Sequence, residues 1–95
     1  MRIAIVDDIA SERETLKKRI TGQAVRLSLD AAILDYASGS DFLADAEKEH
    51  FDLVFLDIYM GSENGVDTSE KLRRFDKDCL LVFTTVSRDH ALDGF

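Results

Sequence analysis

Apolar residues gather in short unalternating runs separated by longer stretches of mixed polarity. Ile3 to Val6 is apolar without alternation and stops at Asp7-Asp8, the pattern of a strand buried on both faces. Ala31 to Tyr36 predicts a second strand, Phe51 to Leu56 a third ending in Asp57, and Leu80 to Phe83 a fourth ending in Thr84-Thr85. Ser11-Glu12-Arg13-Glu14 has the spacing of a capping box and predicts a helix from about Ser11 to Ala24. Its buried face would carry Leu16, Ile20 and Ala24, with Lys17-Lys18-Arg19 in solvent. Turn formers cluster over residues 37–41, where Ser40 is placed to cap a second helix running through Glu49. Gly61 and Gly65 mark a loop, and a helix over Val66 to Phe75 would direct Val66, Leu72 and Phe75 inward. Ser87 to Phe95 opens one more helix.

Strands alternating with amphipathic helices predict a parallel sheet covered on both faces, an α/β doubly wound fold. Right-handed crossovers gather the C-terminal ends of all strands on one edge, where such sheets bind ligands. The 95 residues suffice for one domain, spanning 1–95, and 45% hydrophobic with 33% charged residues is an ordinary globular balance. The apolar runs are far shorter than the roughly 18 residues of a membrane helix. The N-terminus, one basic residue and a short apolar stretch before two acids, is no signal peptide, so the expected compartment is the cytoplasm. Cys79 is the single cysteine and cannot form an internal disulfide; it reads as a small buried hydrophobe. A net charge of −7 argues against direct binding of nucleic acid or of an anionic membrane surface, and favours divalent cations if some of the acids converge.

Convergence is what the strand ends predict. With strands one and three adjacent, as in the flavodoxin-like order 2-1-3-4-5, Asp7, Asp8 and Asp57 meet at the switch point. Carboxylates so placed repel by roughly 4 kcal/mol per pair at about 4 Å and an effective dielectric near 20, so a proton or a cation must relieve them. Mg²⁺ suits such a donor set: it is hard, octahedral, and usually completed by waters and phosphate oxygens. With a metal held by Asp7 and Asp8, the Asp57 carboxylate is available as a nucleophile toward a phosphoryl donor. A hydroxyl from Thr85 or Thr84 would then bond a phosphoryl oxygen. Plainer roles stand beside these: a capping turn for the acidic pair, a turn residue for Asp57, strand formation for the threonines. His50 and His90 have no metal-ligand spacing and read as surface residues, and Gly65 as a backbone requirement ahead of a helix.

The same residues carry a family resemblance. Ile3-Ala4-Ile5-Val6-Asp7-Asp8, Asp52 to Met60 with Gly65, and Val82-Phe83-Thr84-Thr85 together resemble the receiver domain of a bacterial two-component response regulator. The stretch Phe83 to Phe95 is similar to regulators that carry a LytTR-type DNA-binding domain. The resemblance implies that Asp7, Asp8, Asp57 and the Tyr59 backbone carbonyl hold Mg²⁺ and that Asp57 accepts phosphate from a histidine kinase. It also implies that Thr85, with the Val86 backbone, forms the switch and phosphoryl-binding element. Family members continue into a fifth strand bearing a lysine and into a fifth helix, so the expectation is a receiver incomplete at its C-terminus. Its fourth strand would then be an apolar edge open to homodimerisation or strand-mediated self-association. Gly61 replaces the usual proline, and Val86 a usually smaller residue. The alternatives are a pseudo-receiver that binds without being phosphorylated and a Mg²⁺-dependent phosphatase with an aspartyl nucleophile. Against the phosphatase, Tyr59 stands where such enzymes need a second acid.

Overall fold

A computed structural model of the chain describes residues 1–61 and 63–84. In chain order the elements are β1 (Arg2–Val6), α1 (Ala10–Arg26), β2 (Ala32–Tyr36), α2 (Gly39–Ala46), β3 (Leu53–Asp57), β4 (Tyr59–Met60), β5 (Glu63–Asn64), α3 (Gly65–Arg73) and β6 (Leu80–Thr84). The four longer strands form one parallel sheet in the order β2-β1-β3-β6, so β6 takes the place of the predicted fourth strand. This is the flavodoxin-like arrangement. β4 and β5 form a separate small antiparallel hairpin directly after β3.

Alternation along the central strands divides the core. Ala4 and Val6 of β1 and Val54 and Leu56 of β3 point to one face, where Phe42 and Ala46 of α2, Leu72 of α3, Phe51, Met60 and Cys79 bury against them. Phe42 and Phe51 are fully buried, each gaining about 2–3 kcal/mol from leaving water. Their rings lie 5.5 Å apart, and Tyr36 meets both edge-on at 5.7 and 6.1 Å. The opposite face, with Ile3 and Ile5, lies under α1, whose Leu16, Ile20 and Ala24 are half-buried as the periodicity predicts. None of α1 is fully buried, and an apolar groove of about 290 Å³ runs between it and Ile3, Leu53 and Phe55. No helix among the described residues is long and apolar enough to cross a membrane.

Several local expectations are corrected. α1 starts at Ala10 rather than Ser11, and no capping box forms: Ile9 is the N-cap, without a side-chain cap. The turn before the helix is closed instead by the Asp7 carboxylate, which accepts the Ile9 amide at 2.9 Å, so Ser11 is drawn into the first turn. α2 is capped by Ser38, whose hydroxyl accepts the Asp41 amide at 3.1 Å, and not by Ser40; it ends at Ala46 rather than Glu49. α3 ends at Arg73 rather than Phe75, and neither Val66 on it nor Phe75 beyond it is inward: they are 41% and 44% exposed. The buried stripe is Gly65, Thr68, Ser69 and Leu72, because α3 packs closely enough on α2 to prefer small residues there. Cys79 is buried as expected, and burial pushes its thiol pKa up. His50 is half-exposed, its Nδ1 2.7 Å from the Asp76 carboxylate. The predicted helix Ser87 to Phe95 lies outside the described residues.

Candidate functional site

The register between strands places the site. Val6 of β1 pairs with Leu56 of β3, so Asp7 and Asp57, the next residue on each, emerge side by side, and Asp57 pairs with Thr84 of β6. One carboxylate oxygen from each of Asp7, Asp8 and Asp57 lies within 4.8 Å of the other two. Asp7 and Asp57 are 6% and 3% exposed, while Asp8 is open to solvent. Among the described residues this is the one group of three acidic, histidine or cysteine side chains close enough to share a cation.

Backbone amides orient the two buried acids. Asp7 Oδ1 accepts from Ile9, and Asp57 Oδ1 accepts the Tyr59 amide at 3.2 Å. These bonds favour the charged forms but do not win. Burial raises the Asp57 pKa to about 6, and repulsion from Asp7 and Asp8 adds to it against the Tyr59 and Ile58 amides. Burial likewise raises the Asp7 pKa, helped by Asp8 and Glu12 and opposed by the Ile9 amide and Arg13. Burial and like-charge repulsion thus act together on the two buried acids, and a cation shared by the three carboxylates would offset both. The donors are all hard oxygens with one exposed member, a set that fits Mg²⁺ better than a soft transition metal.

Two glycines shape the loop after β3. A Cβ on Gly65 would clash with the Asp57 carbonyl oxygen and lie 2.8 Å from Ile58 Cα, so only glycine lets α3 start against the backbone of Asp57. Gly61 has φ +58° and its ideal Cβ position is 3.5 Å from Asp8 Oδ2, so the hairpin folds back onto the acidic pair.

Arg13 was indistinguishable in the sequence from the solvated cations after it. Its Nη1 donates to the Asp7 carbonyl at 2.8 Å and its Nε to Asp35 Oδ2 at 3.1 Å, fixing the turn that carries Asp7 and Asp8. Burial works against the charge on Asp35, but the Arg13 hydrogen bond and nearby Lys17 hold its pKa below the ordinary value. Glu63 was also missed; its carboxylate reaches α2 from β5. Neither residue has a local sequence signal, since each acts across more than one element. Of the predicted site residues, Asp7, Asp8 and Asp57 come together, and Tyr59 joins them through its amide. Thr85 and Val86 lie outside the described residues.

Comparison with known proteins places this geometry. The response regulator receiver domain family matches residues 3–93. The sensory transduction protein LytT of Enterococcus faecalis is 34% identical over 99 residues, covering 100% of this chain and 38% of that protein. LytT of Bacillus subtilis is 28% identical over 95 residues, with the same coverage of 100% and 38%. The chain thus spans well under half the length of these relatives. Among solved structures, response regulator TrrA of Thermotoga maritima in complex with Mg²⁺-BeF superposes with a TM-score of 0.79 at 27% identity, covering 97% of this chain and 75% of that one.

Proposed function

This chain belongs to the response regulator receiver family, and on that premise we propose that it is a phosphoacceptor switch in which Asp57 receives a phosphoryl group from a histidine kinase. The observation that carries the reading is the convergence of Asp7, Asp8 and Asp57 from two neighbouring strand ends, with Asp57 buried. Asp7, Asp8, Asp57 and the Tyr59 carbonyl would hold Mg²⁺, which when bound supplies positive charge to the phosphoryl oxygens in the transition state. The Tyr59 amide holds one Asp57 oxygen in place. The carboxylate forms its new bond to phosphorus as the donor's bond to phosphorus breaks, giving an aspartyl phosphate. Arg13 keeps the Asp7-Asp8 turn fixed, and exposed Asp8 leaves the site open to a donor.

The rest of the reading extends past the described residues. Thr85 and the Val86 backbone would bind the phosphoryl group and form the switch in a cytoplasmic signalling protein; the LytT relatives, sensory transduction proteins, are longer than this chain, and an output such as transcriptional control would lie in such further length. Likeness to TrrA, crystallised with Mg²⁺-BeF, supports the metal and the acceptor chemistry. The test is intact mass after incubation with a small phosphodonor and Mg²⁺. The wild type should gain a single phosphoryl group and Asp57→Asn none; a wild type that binds Mg²⁺ yet gains nothing would replace the acceptor reading with that of a binding module.

Self-association belongs to the same proposal. β6 lies at the sheet edge among the described residues and exposes Leu80, Val82 and Phe83. Light scattering at rising concentration should show dimers, and a strict monomer would remove this part.

A further inference from the structure

Glu63 makes a contact that the chemistry above does not use. It lies in β5 opposite Met60, and both of its carboxylate oxygens are committed to α2: Oε1 accepts the Gly39 amide at 3.2 Å and Oε2 the Ser40 hydroxyl at 2.9 Å. Gly39 and Ser40 open that helix, where amides lack partners within the helix and a negative charge is favoured. Yet α2 already has a cap in Ser38, so the long-range bond adds something local sequence does not need. What it adds is a link to the acidic site. β4 and β5 pair Tyr59 with Asn64 and Met60 with Glu63, the Tyr59 amide bonds Asp57, and the Gly65 amide donates to the Ile58 carbonyl at 2.8 Å. The path from the α2 N-terminus to the Asp57 carboxylate is therefore unbroken: helix, Glu63, hairpin, Tyr59, Asp57.

We propose that Glu63 is a positioning residue that ties the hairpin to the start of α2, fixing Tyr59 and Asp57 against Asp7 and Asp8 and passing changes at the acidic site to α2. The inference rests on the metal-binding reading given above. Because coupling between two sites is reciprocal, whatever Mg²⁺ does to α2 through Glu63 must appear as a change in Mg²⁺ affinity when Glu63 is lost.

The experiment is a titration of the ¹⁵N-labelled chain with Mg²⁺ alone, followed at backbone amides. In the wild type the amides of Asp8, Asp57 and Tyr59 should shift, and those of Gly39 and Ser40 should shift with the same dissociation constant. Glu63→Ala should bind Mg²⁺ about tenfold more weakly, the low end of what losing an outer support costs a metal site, with Gly39 and Ser40 no longer responding. Glu63→Gln can still accept from Gly39 and donate to the Ser40 oxygen, and should restore both affinity and response. Wild-type affinity in Glu63→Ala, or a persistent Gly39 response there, overturns the proposal. Should Glu63→Ala fail to fold, Ser40→Ala removes one of the two bonds and must weaken Mg²⁺ binding, unchanged affinity again being fatal. A wild type that ignores Mg²⁺ would instead refute the metal reading. The link is then judged by hydrogen exchange of the Tyr59 amide without metal, which must be faster in Glu63→Ala than in wild type; equal rates overturn it.

Discussion

In the absence of metal, Asp57→Asn should make the protein more stable by about 3 kcal/mol at pH 7.5, an unusual gain from altering the central residue of a site. The folded protein raises the Asp57 pKa from 3.8 to about 6, chiefly by burial and then by the Asp7 and Asp8 charges. Folding therefore takes up a proton between those values. The contribution of Asp57 is fully present below about pH 4 and is lost as pH rises through about 6, where the unfolded chain can ionise and the folded one resists. Asn keeps the acceptor for the Tyr59 amide and gives the neighbouring carboxylates a donor, without the charge. The gain should vanish below about pH 4, a dependence that urea denaturation across pH 3.5–8 would resolve; a constant difference would show that charge is not its cause. Mg²⁺ should close most of that gap. At about one hundred times its dissociation constant it should stabilise the wild type by about 2.7 kcal/mol, with little effect on Asp57→Asn or Asp8→Asn.

Gly65→Ala should destabilise the fold by about 3 kcal/mol and disable the acidic site, whereas the same substitution at Gly22 should stabilise by about 0.5–1 kcal/mol. Alanine is the better helix former at both positions by up to about 1 kcal/mol, so propensity alone predicts two gains. Space decides otherwise. A Cβ at Gly22 meets nothing within 4 Å, while one at Gly65 clashes with the Asp57 carbonyl oxygen and lies 2.8 Å from the Ile58 Cα and 2.9 Å from the Asp57 carbonyl carbon. All three are backbone atoms and none can rotate away. Relief must come from moving α3 or the Asp57 backbone, and either displaces the carboxylate from Asp7 and Asp8. Thermal unfolding of the two variants with Mg²⁺ titration of each measures both effects, and matching signs would refute the argument.

The strands, and the convergence of three acids at their ends, were legible in the sequence. The apolar runs ending at Asp7 and Asp57 are readable because a strand in the middle of a sheet has no polar alternation, so the first charged residue marks where it leaves the core; the run ending at Thr84 is as apolar but lies at the sheet edge among the described residues. The alternation of strands and helices implied a parallel sheet, and the flavodoxin-like strand order taken with it brought together acids 50 positions apart. Helix caps were less legible. Ser11 and Ser40 each had the right local pattern, but the Asp7 carboxylate took the turn before α1 and Glu63 took the Ser40 hydroxyl. The inward stripe of α3 was misread because apolar character pointed to Val66 and Phe75, while close packing against α2 and the β3 loop selected Gly65, Thr68 and Ser69. Arg13, Glu63 and the reason for Gly65 belong wholly to the tertiary structure. Each depends on a carbonyl, an amide or a missing Cβ brought in from another element, and the type of a residue does not record which backbone atom will lie beside it.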